Sequence, residues 1–492
     1  MRKVGRQESR RQLLKIAAVA ACIFRCAMVL LVSAPIPTRT MGAEASGDEL
    51  QTWIAEKAIA VRTIDPADED FSDLEPLVNA IGTAEVVQLG EVSHGAGNSF
   101  SAKVRLIKFL HRRMGFDVLV WESGMHGMRQ AQAGMRAGDD ALAAGQQGIF
   151  PIWSHTEEVR PLFEYVKASQ LSTRPLEMAG FDMQFTAPKA REHFAADLRA
   201  LVAAVPQPAI RRQAQEFVEE ALTSHERLED PKLESKSEDV EKLRTATGAL
   251  LKLIADHRAL FAQTQGSRET SFMECAIENL RTDGEGQLDL SPVSTGRTNA
   301  SFRNMDAYFS RRDGQNARNF RWLVEKGYPG RKIIVWAHNV HITYAHIGSR
   351  FSSIDVEARP GDLKPMGAYL HEWLGRKVYT IGLTTFEGSD GWVTSATPVP
   401  LPPVMKDSLE SHLHAVGKPY LFLDLRRLST FPDHPLRQRQ SMRIFVPVVG
   451  ADTAAPAQGN YTIDDITQIF DGVFYIDRTT PATLISRGEG PK

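Results

Sequence analysis

The stretch VVQLGEVSHGAGNSF, residues 86–100, opens as a strand and ends as something else. An apolar run stops at Gly90. A carboxylate, Glu91, follows, and three residues later a histidine, His94, with small residues around both. What comes next sets the context. In SAKVRLIKFLHRRMG (101–115), Val104, Ile107, Leu110 and Met114 recur at spacings of three and four, the stripe of an amphipathic helix. Leu106 and Phe109 widen the stripe, and Gly115 closes it as a C-terminal glycine does. FDVLVWES (116–123) is again a strand-length apolar run. Strand, helix, strand at this length is a crossover unit.

The same kind of run returns along the chain: AEVVQLGE (84–91), LEMAGFD (176–182), KIIVWAHNVH (332–341), VYTIGLTT (378–385), YLFLDL (420–425), MRIFVPV (442–448) and VFYID (473–477). Several are almost continuously apolar, as strands buried on both faces of a parallel or mixed sheet are. Residues 46–80 read as a polar, helical lead-in, and TPVPLPPV (397–404) as a stiff surface segment. Residues 185–290 hold helical patterns with no strand-like run between them. The expected fold class is α/β, a mixed, largely parallel sheet flanked by helices, with an inserted helical subdomain. The N-terminal part of the core spans 46–184, the helical insertion 185–310 and the C-terminal part of the core 311–492.

The 492 residues suffice for one large α/β domain or two domains. A formal net charge of −2 gives nucleic acid or an anionic membrane no electrostatic hold. Residues 1–45 read as an export signal of the twin-arginine type. Ser9 to Lys15 hold the pair Arg10 and Arg11, an apolar run follows, and Ala43-Glu44-Ala45 is a signal-peptidase pattern. Arg25 interrupts the run, so no stable membrane span is expected in the mature protein. The expected location is periplasmic or secreted. Cys22 and Cys26 fall in that segment. Cys275, in a helical pattern, is then alone and reads as a packed thiol.

The chemistry sits at strand ends. In open α/β sheets the carboxyl ends of the strands face the ligand crevice. One strand ends with Glu91 and His94. The next ends VLVWES, placing Glu122 after a run that cannot bury a charge unpaired. The third ends with Asp182, and the fourth, VWAHNVH, with His338, Asn339 and His341. A single such end is explained by a helix cap or a loop salt bridge. Four together point to one site at a common rim. His94 is the side chain suited to take a proton near neutral pH, and Glu91 can hold its tautomer. Gly95, Ala96 and Gly97 are read as leaving space beside it. His111, His126 and His155 are read as surface or packing residues.

LGEVSHG, GFDVLVWES, AGFDMQ, RRDGQNARNFRWL, VWAHNVHI, MGAYLHEWLGRKVYTIGL and FDGVFYIDRTTPAT, in that order, resemble the erythromycin esterase family. The resemblance runs from about Gln51 to near the C-terminus. It implies an α/β core with a helical insertion and hydrolysis of a macrolide lactone by activated water. The equivalents of Glu91, His94, Glu122, His338 and His341 would line the cleft, with His94 as general base. The family usually carries a glutamate where this chain has Asn98, and an arginine where it has Lys103.

The mechanism expected from these residues has His94 deprotonate water, which attacks an ester or lactone carbonyl. Glu91 orients His94, and His338 or His341 serves the oxyanion or the leaving alkoxide. Glu122 and Lys103 complete a charge network. Lys103, Asp182 and Asn339 are assigned to substrate binding. No Gly-x-Ser-x-Gly elbow is present, so an acyl-enzyme is not expected. No cofactor is expected, although a divalent metal on Glu91, His94, His338 and His341 would give a metal-dependent hydrolase. Capture of a ligand such as haem without turnover is the alternative from another class. The expected partner is a small ester or lactone.

Overall fold

A computed structural model describes residues 43–230, 236–290, 299–345, 351–353, 363–392, 395–445 and 460–485. The twin-arginine segment, Cys22, Cys26 and the end of the run 442–448 lie outside the described residues. Among those described, twelve strands form: β1 (Ile59–Ala60), β2 (Val86–Leu89), β3 (Val118–Gly124), β4 (Glu177–Asp182), β5 (Ile333–Trp336), β6 (Phe351–Ser353), β7 (Val378–Trp392), β8 (Ser395–Pro400), β9 (Tyr420–Asp424), β10 (Gln440–Arg443), β11 (Asn460–Ile463) and β12 (Gly472–Thr479).

The main sheet runs β1-β9-β12-β7-β2-β5-β3-β4, with β8 paired to β7. From β12 to β4 every neighbour is parallel, while β1, β8 and β9 pair antiparallel. The chain is thus an α/β protein with a mixed, largely parallel sheet. Alternation along the strands divides the core. Val86, Val118, Val120, Ile333 and Val335 face one layer, and Val87, Leu119, Trp121, Ile334 and Trp336 face the other. Both layers are dry, which is why these runs lack the polar alternation of a one-sided sheet.

The helix after β2 runs Gly97–Met114, starting four residues before the stretch read as helical, and packs on the second layer through Phe100, Val104, Ile107 and Leu110. Gly115 ends it at φ 78°, its N–H returning to the Leu110 carbonyl. The first layer is covered by the insertion: helices Ala190–Ala203, Pro208–Leu228, Ser237–Asp256, Arg258–Gln265, Ser267–Leu290 and Asn299–Trp322. That last helix crosses position 310, the expected end of the insertion. Its second half is Arg- and Asn-rich yet buried, with Arg312, Asp313, Gln315, Asn316 and Asn319 all under 6 % exposed.

Three expectations change. The run at 442 does not join the main sheet. Gln440–Arg443 pairs with β11, and β11 with β6, in a separate antiparallel sheet. The stiff segment at 397 begins inside β8, an edge strand, where proline is tolerated because one side needs no hydrogen bonds. The lead-in at 46–80 is helical only at its ends, Ala43–Lys57 and Pro76–Ile81, with β1 and a loop between. No described helix is long and apolar enough to cross a membrane.

Candidate active site

The carboxyl ends of β7, β2, β5, β3 and β4 stand side by side, so their terminal residues share one rim. Glu91, just past β2, is wholly buried and fully engaged. Its Oε1 accepts from Trp153 Nε1 at 2.9 Å and meets His94 Nδ1 at 2.8 Å, while Oε2 accepts from Lys103 Nζ at 2.7 Å. A carboxylate against Nδ1 puts a proton on that nitrogen and leaves Nε2 as the basic atom. The His94 side chain keeps 20 % exposure beside these buried partners, so the rim gives it a route to solvent.

Lys103 comes from the second turn of the helix behind Glu91. Its Nζ also donates to the Ala337 carbonyl at 3.2 Å and lies 4.1 Å from the Trp336 ring centre. Burial pushes its pKa down to about 8 against the pull of Glu91.

His338 follows β5. Its Nδ1 accepts the Val340 N–H at 3.2 Å, capping the short helix Asn339–Ile342. The neutral ring must then carry its proton on Nε2, which makes no well-formed hydrogen bond among the described residues, the Val92 backbone being its nearby acceptor. Burial, and then nearby His94, hold the His338 pKa well below the usual histidine value; Glu122 and the Val92 backbone pull the other way and lose. The His94 and His338 rings meet edge to face with centres 5.0 Å apart.

Glu122 closes the other side. A break in register between Trp121 and Gly124 marks the strand where it emerges. Its Oε2 accepts the His338 N–H at 2.8 Å, and its Oε1 accepts from Arg312 at 2.8 Å and lies 3.2 Å from His341 Nε2. Burial alone would raise its pKa; His341 and Arg312 outweigh that and hold it well below the carboxylate range. Arg312 also forks onto both oxygens of Asp182, at 3.1 and 2.6 Å. His341 donates Nδ1–H to Asp313 at 2.7 Å. Burial opposes its charge, as does Arg312 Nη1 beside Nε2 at 3.1 Å. The carboxylates of Asp313 and Glu122 prevail and lift its pKa to about 10.

The family model of erythromycin esterases matches residues 111–479 of this chain. The chain belongs to the erythromycin esterase family. The family is one of hydrolases, acts on small molecules and is not known to need a cofactor. Among relatives of this erythromycin esterase-family chain, a Bacillus subtilis (strain 168) protein named "Putative hydrolase YbfO" is 26% identical over 479 residues, 93% of this chain and 97% of its own. Three solved structures share the fold. A Bacillus cereus protein has 18% identity and TM-score 0.67, covering 89% of this chain and 99% of its own. A succinoglycan biosynthesis protein has 20% identity and TM-score 0.67, over 90% and 100%. A mutant erythromycin esterase, EreC, in its open conformation has 17% identity and TM-score 0.61, over 87% and 99%.

The fold brings Glu91, His94, Lys103, Glu122, His338 and His341 together but employs them unequally. Asn339 is spent on the scaffold: its amide donates to Leu383 and Ile444 carbonyls at 2.7 and 2.9 Å and accepts the Leu383 N–H at 3.1 Å. Asp182 is held by Arg312, and Lys103 lies behind Glu91 with no exposure. These three are placed to support the cleft rather than to touch a substrate. The small residues beside His94 do not leave open space either. A Cβ on Gly95 would collide with the Gly391 carbonyl, and one on Gly97 would lie 2.9 Å from the Pro481 carbonyl. Asn98 donates to the Arg478 carbonyl, and Arg105 forks onto Asp73, away from the cleft.

The expected ligand set for a divalent metal meets a donor problem, because Lys103, Trp153 and His94 already occupy both oxygens of Glu91. Trp153, Arg312, Asp313 and Asp390 were not singled out from sequence. Arg312 and Asp313 lie within RRDGQNARNFRWL, a stretch that carries the family resemblance but whose charged residues are given no role by the sequence. Their place in the cleft is shown by their burial, which is tertiary. Cys275 is a partly buried free thiol whose pKa burial pushes up to about 12, which suits a packed residue.

Lys103 gives a pH prediction. It is charged in the fold below about pH 8 and loses its proton above, so Glu91 faces a neutral amine there. The rate is expected to fall along an alkaline limb near that pH. In Lys103→Arg, whose guanidinium stays charged, the limb moves upward. The kcat/KM profile of both proteins between pH 6 and 10 checks this.

Proposed function

We propose that this chain hydrolyses a carboxylic ester or lactone by water that His94 activates. The carrying observation is the pairing of an imidazole tied to a buried carboxylate at 2.8 Å with a second, neutral imidazole whose Nε2 makes no well-formed hydrogen bond among the described residues. In this reading His94 Nε2 takes a proton from water while the oxygen attacks the carbonyl carbon. Glu91 stabilises the imidazolium, and the His338 Nε2–H stabilises the oxyanion. The tetrahedral intermediate then collapses with cleavage of the carbon–alkoxide bond, and His94 returns its proton to the leaving oxygen. His341, with both nitrogens engaged, is a fixed cation behind Glu122 and not a proton donor. Relatives in a hydrolase family support the reaction class, and the twin-arginine-type start supports action outside the cytoplasm.

A panel of macrolides, simple lactones and aryl esters, assayed by product mass with and without a chelator, tests the reading. Turnover that survives chelation supports it. Loss of turnover on chelation would transfer the reaction to a metal. Tight binding with no turnover of any ester or lactone would make the chain a capture protein.

A further inference from the structure

A second buried acid stands behind His94 with no role in the steps above. β7 outruns its neighbours to Trp392 and brings Asp390 against the β2 loop. Asp390 is 2 % exposed. Its Oδ1 accepts the Gly391 N–H at 2.8 Å and lies 2.8 Å from where a Cβ of Gly95 would stand, its carboxyl interacts with the Ser93 side chain, and Oδ2 has no partner among the described residues. The Ser93 oxygen in turn accepts the Gly95 N–H at 3.0 Å. The residues before and after His94 are thus joined to each other by a bond, and Asp390 packs against both. The far side of the same loop is held by backbone, Ala482 N–H to the Gly95 carbonyl at 2.7 Å and Gly97 N–H to the Thr480 carbonyl at 2.8 Å. Gly95 has no Cβ, and that is what lets the Gly391 carbonyl come close enough to close the clamp.

We propose that Asp390 is a positioning residue: through Ser93 it fixes the turn that carries His94, so that Nδ1 stays on Glu91 and Nε2 stays aimed at the cleft. This deepens the hydrolase reading and rests on it for its kinetic consequence. A turn free to rotate by one bond would carry the ring away from Glu91, and Ser93, joined to Gly95 and facing Asp390, is what restrains it. The carboxyl also responds to pH. Burial lifts its pKa to about 7, opposed by the Ser93 hydroxyl, the Gly391 N–H and His94, and reinforced by Glu91. The other charged or titratable groups of the packed elements are Lys103 on Glu91, His338 beside His94, and Glu158, whose carboxylate lies near Gly97 and accepts the Thr483 N–H. Protonated Asp390 still accepts from Ser93, so the clamp holds on both sides of neutrality, while the charge near His94 changes.

Asp390→Ala, Asp390→Asn and Ser93→Ala are compared with wild type in the full chain. The first readout is the downfield NMR signal of the His94 Nδ1 proton shared with Glu91. The second is kcat and KM on whichever ester the panel identifies, across pH 5.5–8.5, with thermal melting as a control for folding. Asp390→Ala and Ser93→Ala should broaden or lose the signal and lower kcat by roughly 10- to 100-fold with KM nearly unchanged, the scale of a misplaced catalytic group. Asp390→Asn keeps an acceptor for Ser93 and should restore the signal and most of kcat, while removing any step in rate near pH 7. A sharp wild-type signal and full kcat in Asp390→Ala would overturn the proposal, and so would an Asn variant as impaired as the Ala variant. If wild type turns over no ester, the functional reading fails, and the Nδ1 signal still decides whether Asp390 holds the ring.

Discussion

Replacing His94 with alanine should abolish ester or lactone turnover while leaving the fold standing. The expected loss in kcat is about 10²- to 10⁴-fold, the range that a positioned general base supplies. The side chain is partly exposed and packs against the Trp153 and His338 ring edges, so its removal opens little of the core. Glu91 would lose one partner of three, keeping Lys103 and Trp153. Binding should persist, because the residues that shape the cleft are untouched. Equilibrium binding of a substrate, beside single-turnover kinetics at saturating enzyme, separates the two. Turnover within a few-fold of wild type in His94→Ala would remove the imidazole from the mechanism.

Arg312→Ala should be the most damaging single change to stability. The guanidinium is buried and joins Glu122, Asp182 and the edge of His341 at one point. Burial disfavours its charge, but Asp182 and Glu122 hold its pKa well above the ordinary arginine value. Without it, Glu122, Asp182 and Asp313 remain buried with His341 as the cation closest to two of them. Removing one partner of a buried ion pair costs roughly 3–5 kcal/mol, because the survivors stay desolvated. Arg312→Lys should recover only part of this, since a point charge cannot fork onto Asp182 while reaching Glu122. Urea unfolding of both variants, followed by tryptophan fluorescence, measures the cost. The loss should shrink as pH falls. Glu122 is held far below its ordinary value in the intact fold, so its share of the stability is present above the unfolded carboxylate pKa and is lost on acidification. An Arg312→Ala protein as stable as wild type at pH 7 would show that the network is solvated rather than buried.

Much of the architecture was legible because it is written in local patterns. Dry strands read as unbroken apolar runs, and the helix after β2 as a stripe closed by Gly115. The positions missed were those with weak local signals. β1 and β6 are two and three residues long, and β8 carries prolines; the run at 442 reads as a strand, and only its pairing outside the main sheet was not legible. The helix Asn299–Trp322 reads as polar because its buried amides bond to strand ends instead of water: Asn319 donates to the Phe181 carbonyl and Asn316 accepts the Met183 N–H.

The chain's own order of residues determined that Glu91, His94, Glu122, Asp182, His338 and His341 would each lie at or just past the end of a strand, and a parallel sheet sends all such ends to one edge. What each of them does was decided only by which chains lie beside it. Arg312 reaches Glu122 across 190 residues of sequence, and Lys103 reaches Ala337 across 234. The β7-β2-β5-β3-β4 order sets Asp390 behind His94 and Asn339 on Leu383. Burial and hydrogen-bond partners set a side chain's charge and freedom, and both depend on neighbours brought by folding. That is why local sequence located the rim, and tertiary structure alone decided which of its residues are locked into the scaffold and which keep a route to solvent.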